Sequence, residues 1–212
     1  MSRKNPSLLA YGFVLLSLVV LSSAVYLGRV FSVDTTILEA IHQLESIPMN
    51  WMMLGITRLG DPSLTVPVVF IIFTLLWFRK HREEAKFFAV NCFGGAVLSI
   101  CLKVFFGKTR PALWDLPIIE TTFSYPSGHA LGSVVLYGCL AYLLGRRVPQ
   151  YRWWIYTGAI ALSLSIGFSR LYLGVHWPTD LLGGYMIGFL WTRVCILFLE
   201  KKLPSLAQTI SM

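Results

Sequence analysis

Six ionisable residues in the second half of the chain, Lys103, Arg110, His129, Arg170, His176 and Asp180, have the types and spacing for phosphate chemistry. His176 and Asp180 stand four apart, and the Pro178-Thr179 between them suits the first turn of a helix. On one helical face, such a carboxylate would fix the imidazole tautomer and stabilise the imidazolium. His129 follows Pro126-Ser127-Gly128 where an apolar run begins. An early-helix position offers unpaired backbone N–H groups, Ser127 adds a hydroxyl, and such an end is a ready anion site. Lys103, Arg110 and Arg170 supply positive charge to hold a group bearing about −1.5 to −2. Two histidines, a helix N-terminus and three cations describe a phosphate pocket with a nucleophile and a proton donor.

A divalent metal is the rival chemistry, because His176 and Asp180 have a spacing that an ion could use. Three nearby cations would repel it, and the outer segments lack the carboxylate cluster of two-metal phosphatases. The expectation is therefore chemistry with no metal and no other cofactor.

The elements that must position these residues are membrane helices. Of the 212 residues, 56% are hydrophobic and 13% charged, against about 25% charged in soluble domains. Apolar runs at 8–27, 63–78, 87–104, 129–144, 153–168 and 181–198 approach the roughly 20 residues a crossing needs. The fold class expected is all-α: an integral membrane bundle of six transmembrane helices, with short interfacial helices on the outer side. No repeat or linker divides the chain, so residues 1–212 read as a single domain whose motif-bearing core is 103–180.

The net charge of +8 could suggest a nucleic-acid partner in a soluble protein. Its distribution argues for a bilayer instead, with no nucleic acid. With the N-terminus inside, Arg3, Lys4, Arg79, Lys80, Arg82, Lys86, Arg146, Arg147, Arg152, Arg193, Lys201 and Lys202 are cytoplasmic, which is 12 of 18 basic residues. Arg29, Arg58, Lys103, Lys108, Arg110 and Arg170 fall outside or at the outer helix ends. This is the positive-inside pattern. It places all six ionisable residues at the extracytoplasmic ends of the helices, with the plasma membrane as the expected location. The first apolar run is read as an uncleaved helix, since it continues past Ser22-Ser23-Ala24 through Val25-Tyr26-Leu27. Cys92, Cys101, Cys139 and Cys195 are scattered through the spans and read as packing residues.

In the outer segment 31–62, Ile37, Leu38, Ile41 and Leu44 recur at helical spacing. Asp34 is expected to cap that turn, His42 to sit on its polar face, and Pro48 to end it, after which an apolar stretch restarts over 49–59 and ends at Gly60-Asp61-Pro62. The 105–125 loop is the longest hydrophilic stretch on that side. Beside the motifs lie Lys108, Trp114, Asp115, Tyr172 and Trp177. Lys108 reads as a solvated loop charge in preference to a holder of a second phosphate or the headgroup, Trp114 and Trp177 as interfacial aromatics, and Gly184-x-x-x-Gly188 as a close helix contact.

These residues also resemble a known family. Lys103, six residues, then Arg110-Pro111 is similar to the first motif of the type 2 phosphatidic acid phosphatases; Pro126-Ser127-Gly128-His129 resembles the second; Ser169-Arg170, five residues, His176, three residues and Asp180 resembles the third. All fixed positions and internal spacings agree. The resemblance implies a six-helix bundle and metal-independent hydrolysis of a lipid phosphate or diphosphate. Phosphatidic acid, phosphatidylglycerophosphate and undecaprenyl diphosphate are the candidate substrates. It implies His176 as nucleophile through a phosphohistidine, Asp180 as its orienting partner and His129 as acid for the leaving oxygen. Lys103, Arg110, Ser127, Gly128 and Arg170 would bind the phosphoryl oxygens. A lipid phosphotransferase could share the intermediate, passing phosphate to an acceptor other than water. A vanadate-dependent haloperoxidase has a similar anion pocket, but six spans in a short chain argue against it. A non-catalytic scaffold or transporter is disfavoured by the intact histidines.

Overall fold

The computed structural model describes residues 6–28, 32–114, 118 and 120–202. Arg3, Lys4, Arg29 and Asp115, which figured in the sequence reading, lie outside them. Among the described residues the regular structure is all helical, without strands. In order come α1 (Pro6–Tyr26), α2 (Ser32–His42), α3 (Ile47–Arg58), α4 (Pro62–Phe78) and α5 (Arg82–Phe106). After the long loop follow α6 (Gly128–Ser133), a π turn (Val134–Gly138) and α7 (Cys139–Arg147), which form one continuous helix. A 3-10 turn (Pro149–Tyr151), α8 (Arg152–Tyr172) and α9 (Pro178–Lys202) complete the order.

Among the described residues five helical stretches are long and apolar enough to cross a bilayer: Leu9–Tyr26, Ile47–Phe78, Arg82–Phe106, Gly128–Arg147 and Pro178–Lys201. The expectation was six. The stretch 153–168 lies within α8, whose 21 residues have the length, but Trp153, Trp154, Tyr156, Ser163, Ser165, Ser169 and Arg170 dilute its hydropathy. The outer stretch 49–59 is helical too, and it runs on through Gly60 into α4 as part of one 32-residue apolar stretch.

The outer surface is apolar, as a lipid solvent requires. Leu9, Phe13, Leu16, Phe70, Phe93, Val104 and Phe198 are all well exposed. The interior holds large apolar side chains such as Phe88, Leu131 and Ile166 together with buried polar residues such as Asn91, Ser127, Arg170 and Asp180. Helix α9 packs against α1, α5 and α6, while α8 packs against α3, α6 and α7. The α6–α9 contact is set by the glycines of the Gly184-x-x-x-Gly188 motif. A Cβ at Gly184 would stand 2.7 Å from the Ser127 carbonyl oxygen, and one at Gly188 2.8 Å from that of Leu131. Backbone therefore touches backbone, as small-residue interfaces permit. Within the π turn, the carbonyl of Val135 accepts a hydrogen bond from the buried Asn91 side chain at 2.9 Å. Further from the site, Leu76, Phe88, Leu136, Tyr142, Leu143, Ile196 and Leu199 form the main apolar core.

Helix α2 forms over the periodic segment, with Leu38 fully buried. Asp34 does not cap it. The residue lies inside the first turn, and its carboxylate accepts from the Thr179 amide at 3.0 Å and the Thr179 hydroxyl at 2.6 Å. The first N–H groups of α9 lack intrahelical partners, and Asp34 serves one of them from a distant helix. His42 does not simply face solvent either: its ring stacks on that of Trp114 with centroids 4.0 Å apart.

Candidate active site

The last turn of α5, the first of α6, the last of α8 and the first of α9 share one end of the bundle. Gly107, with a φ of 57°, caps α5 in the left-handed conformation and turns the chain into the loop between these ends.

His176 precedes α9 and is almost completely buried. Its Nδ1 lies 3.4 Å from Asp180 Oδ2 and 3.3 Å from Ser124 Oγ, and its Nε2 lies 3.2 Å from Arg110 Nη1. A guanidinium can only donate, so the lone pair is on Nε2 and the hydrogen on Nδ1. Burial pushes the His176 imidazole from its ordinary 6.5 down to about 3, leaving it neutral at neutral pH with its lone pair on Nε2.

Asp180 has no exposed surface. Its Oδ2 accepts from the Trp177 amide at 2.9 Å and from the Ser124 hydroxyl, and its Oδ1 accepts from Lys108 Nζ at 2.8 Å. The backbone is tied in as well, since the Ser127 amide donates to the Asp180 carbonyl at 3.0 Å. Lys108 is thus not the solvated loop charge the sequence suggested. It also donates to Thr179 Oγ1 at 2.9 Å and stands 4.0 Å from Asp34. Burial raises the Asp34 carboxyl above its ordinary range, an effect the bonds from Thr179 oppose.

The other cations surround this pair. Arg110 donates through Nε to the Thr122 carbonyl at 2.8 Å and through Nη1 to the Val175 carbonyl at 2.6 Å. Arg170, almost fully buried, donates through Nη1 to Thr57 Oγ1 at 2.9 Å and through Nη2 to Glu120. The second oxygen of Glu120 lies 3.4 Å from Arg110 Nη2, so one carboxylate bridges both arginines. Lys103 donates to the Phe123 carbonyl. Its Cε lies beside the start of α6, 3.7 Å from where a Cβ on Gly128 would be. Ser127 is the N-cap of α6, its hydroxyl accepting from the Ala130 amide at 3.4 Å. His129, on the first turn, places Nε2 2.8 Å from Asp61 Oδ1.

All eight residues singled out by the sequence therefore lie at one end of the bundle. Sequence reasoning missed Thr57, Glu120 and Ser124 and misassigned Asp34 and Lys108. Asp61 was seen only as part of a Gly-Asp-Pro break. An ionisable side chain at the edge of an apolar stretch is itself a signal, and Asp61 carried it. Among the described residues no three side chains of His, Cys, Asp or Glu converge in the way a metal ion needs.

Comparison with known proteins follows the same lines. A family model described as the PAP2 superfamily matches residues 83–204. Phosphatidylglycerophosphatase B of Bacillus subtilis is 31% identical over 174 residues, covering 81% of this chain and 85% of its own. An undecaprenyl-diphosphatase of Sulfolobus acidocaldarius is 28% identical over 160 residues, covering 73% of each. The crystal structure of a transmembrane PAP2-type phosphatidylglycerolphosphate phosphatase from Bacillus subtilis superposes with a TM-score of 0.84 at 29% identity, over 92% of this chain and 98% of that one. With its family model matched over more than half its length, this multi-pass membrane chain belongs to the PAP2 superfamily.

Proposed function

We propose that the chain hydrolyses the phosphomonoester of phosphatidylglycerophosphate at the outer face of the plasma membrane, through a phosphohistidine on His176 and without a metal. Family membership and kinship with proteins named as lipid phosphatases make it a lipid phosphate hydrolase. The choice of lipid rests on the Bacillus subtilis relatives, one by sequence and one by structure. The single observation that carries the mechanism is the orientation of His176: Nδ1 toward Asp180 and Nε2 toward Arg110.

In the first step His176 Nε2 attacks phosphorus in line, and the P–O bond to the lipid breaks. Lys103, Arg110, Arg170 and the amides at the start of the Gly128–Arg147 helix stabilise the equatorial oxygens, with Ser127 holding that helix end. The electron pair stays on the leaving oxygen, which takes a proton from His129 and departs as an alcohol. In the second step water attacks phosphorus, His129 accepts its proton, and the P–N bond breaks to release phosphate.

Sidedness rests on counting α8, whose 21 residues are long enough to cross, with the five apolar stretches, which makes α8 the fifth of six crossings and leaves α2 and α3 at the outer interface. That arrangement puts 79–86 and 146–152 inside and the four site-bearing helix ends outside, in keeping with the charge bias. An amphiphile can then present its phosphate while its chains remain in the bilayer.

The test is phosphate release by purified protein from phosphatidylglycerophosphate, phosphatidic acid and undecaprenyl diphosphate in excess chelator, with acceptor lipids present or absent. His176→Ala should abolish turnover while the protein still folds, and acid-free quenching of the wild type should trap labelled phosphate on histidine. Substantial steady-state activity in His176→Ala would overturn the nucleophile. Silencing by chelator with recovery on one divalent ion would establish the metal reading. Label appearing on an acceptor lipid instead of as free phosphate would establish a transferase.

A further inference from the structure

The residues that surround the phosphate position come mainly from Lys103 onward, yet one face of His129 belongs to the turn between α3 and α4. His129 Nε2 lies 2.8 Å from Asp61 Oδ1, and the two side chains are 12% and 32% exposed. That turn is held against the imidazole from two sides. The Tyr137 hydroxyl, from the π turn below His129, donates to the Leu59 carbonyl at 2.6 Å. Gly60 backs onto the ring: a Cβ there would stand 2.6 Å from His129 Cδ2 and 2.9 Å from Ile166 Cγ2.

Asp61 is the N-cap residue of α4, yet its side chain makes no capping hydrogen bond. The Leu64 amide, which a capping side chain would take, is served by the Asp61 backbone carbonyl at 3.1 Å instead. An N-cap aspartate ordinarily turns its oxygen to its own helix; this one turns to an imidazole on another. The other charges that act on the pair are Arg58 at the end of α3, Arg170 on α8 and Glu120 in the loop.

We infer that Asp61 is a positioning residue for His129, so that the site holds two His–Asp pairs, His176–Asp180 for attack and His129–Asp61 for proton delivery. The role rests on His129 being the proton donor, as proposed above. With the Nε2 hydrogen donated to Asp61, the nitrogen that serves the substrate is Nδ1. As the N–P bond forms at His176 and the P–O bond breaks, the leaving oxygen takes the Nδ1 proton. His129 is then neutral, with its remaining hydrogen still held by Asp61. When water attacks, Nδ1 accepts a proton from it as the P–N bond breaks, and the imidazolium returns beside its carboxylate. Asp61 fixes the ring and supplies the counter-charge that favours this protonated form.

An alkoxide cannot leave readily without a proton, whereas a nitrophenolate can. The experiment therefore compares kcat on phosphatidic acid with kcat on p-nitrophenyl phosphate for wild type, Asp61→Asn and His129→Gln. Asn keeps the size and the N-cap preference. Positioned acid catalysis contributes about 10²- to 10⁴-fold, so Asp61→Asn should lose roughly 10²-fold on the alkyl ester and under about tenfold on the aryl ester. Asp61→Ser, another capping residue without charge, should behave alike and serves if Asn fails to accumulate. Equal losses on both esters in the Asp61 variants, with His129→Gln still alkyl-selective, overturn the role of Asp61 and leave the acid standing. An unselective His129→Gln overturns the acid itself, and the pairing with it.

Discussion

Replacing Gly184 with alanine tests whether the two halves of the chemistry are held together by backbone contact. The added Cβ would lie 2.7 Å from the Ser127 carbonyl and 3.2 Å from the Leu131 amide, and at Gly188 the figure is 2.8 Å from the Leu131 carbonyl. Comfortable carbon contacts begin near 3.5 Å, so α6 and α9 must separate by roughly 0.8 Å. Backbone cannot rotate aside as a flexible side chain would. Overpacking of this kind costs about 1–3 kcal/mol. The same movement carries His129 and the Ser127 cap away from Asp180. Since about 1 Å of misplacement can cost 10²-fold in rate, Gly184→Ala should lose roughly tenfold in kcat/KM. A double Gly184/Gly188 variant should lose less than the product of the single effects, because one separation relieves both contacts. Gly132→Ala is the control: it lies on α6 too, but its Cβ meets nothing within 4 Å. Phosphate release and thermal midpoints in one detergent provide the readout. If Gly184→Ala matched Gly132→Ala in both, the contact would not be what positions the site.

Lys108→Met should remove the lysine bond to Asp180 and lower the thermal midpoint. Breaking a buried ion pair costs about 3–5 kcal/mol, and the Trp177 amide and Ser124 hydroxyl should hold the loss toward the lower end; a wild-type melting curve would contradict this. His176 is held neutral, with its titration lowered from 6.5 to about 3, so the unfolded chain binds more protons across that window. The stability it contributes is complete above about pH 6.5 and falls away toward pH 3. The wild-type midpoint should therefore drop more steeply on acidification than that of His176→Gln, and parallel curves would refute it. For sidedness, in a background lacking Cys92, Cys101, Cys139 and Cys195, a cysteine at Leu113 should react with an impermeant maleimide in intact spheroplasts. One at Gln150 should react only after permeabilisation, and the reverse pattern would invert the topology.

What the sequence made legible is what repeats or clusters. The helices could be read because apolar runs of membrane length are a cumulative signal, and their ends moved by only a few residues: 129–144 became Gly128–Arg147 and 181–198 became Pro178–Lys202. The cluster of cations at one end of the bundle could be read because three motifs fall in order along the chain. The role of Lys108 could not, since nothing local distinguishes a loop lysine in water from one bound at 2.8 Å to a buried carboxylate. Asp34 was misjudged for the opposite reason: its neighbours offered a plausible local role as a cap, while its actual partner, Thr179, lies 145 residues away.

A physical asymmetry underlies these failures. The cations of a phosphate site must converge on one small anion, so their spacing along neighbouring helix ends is constrained and leaves a pattern. The carboxylates that balance them need only reach one partner each, from any direction. Accordingly Asp34 comes from α2, Asp61 from the turn before α4, Glu120 from the loop and Asp180 from α9, each on a different element. Every one of them holds a cation, a histidine or the Thr179 hydroxyl and amide. In the proposed reaction an arriving phosphate competes with Glu120 for Arg110 and Arg170, while Asp180 and Asp61 keep the two imidazoles in place. The N-terminal third, which carries no family motif, thus supplies two of the four carboxylates. Its contribution is to set the charge of a site whose reacting atoms lie elsewhere in the chain.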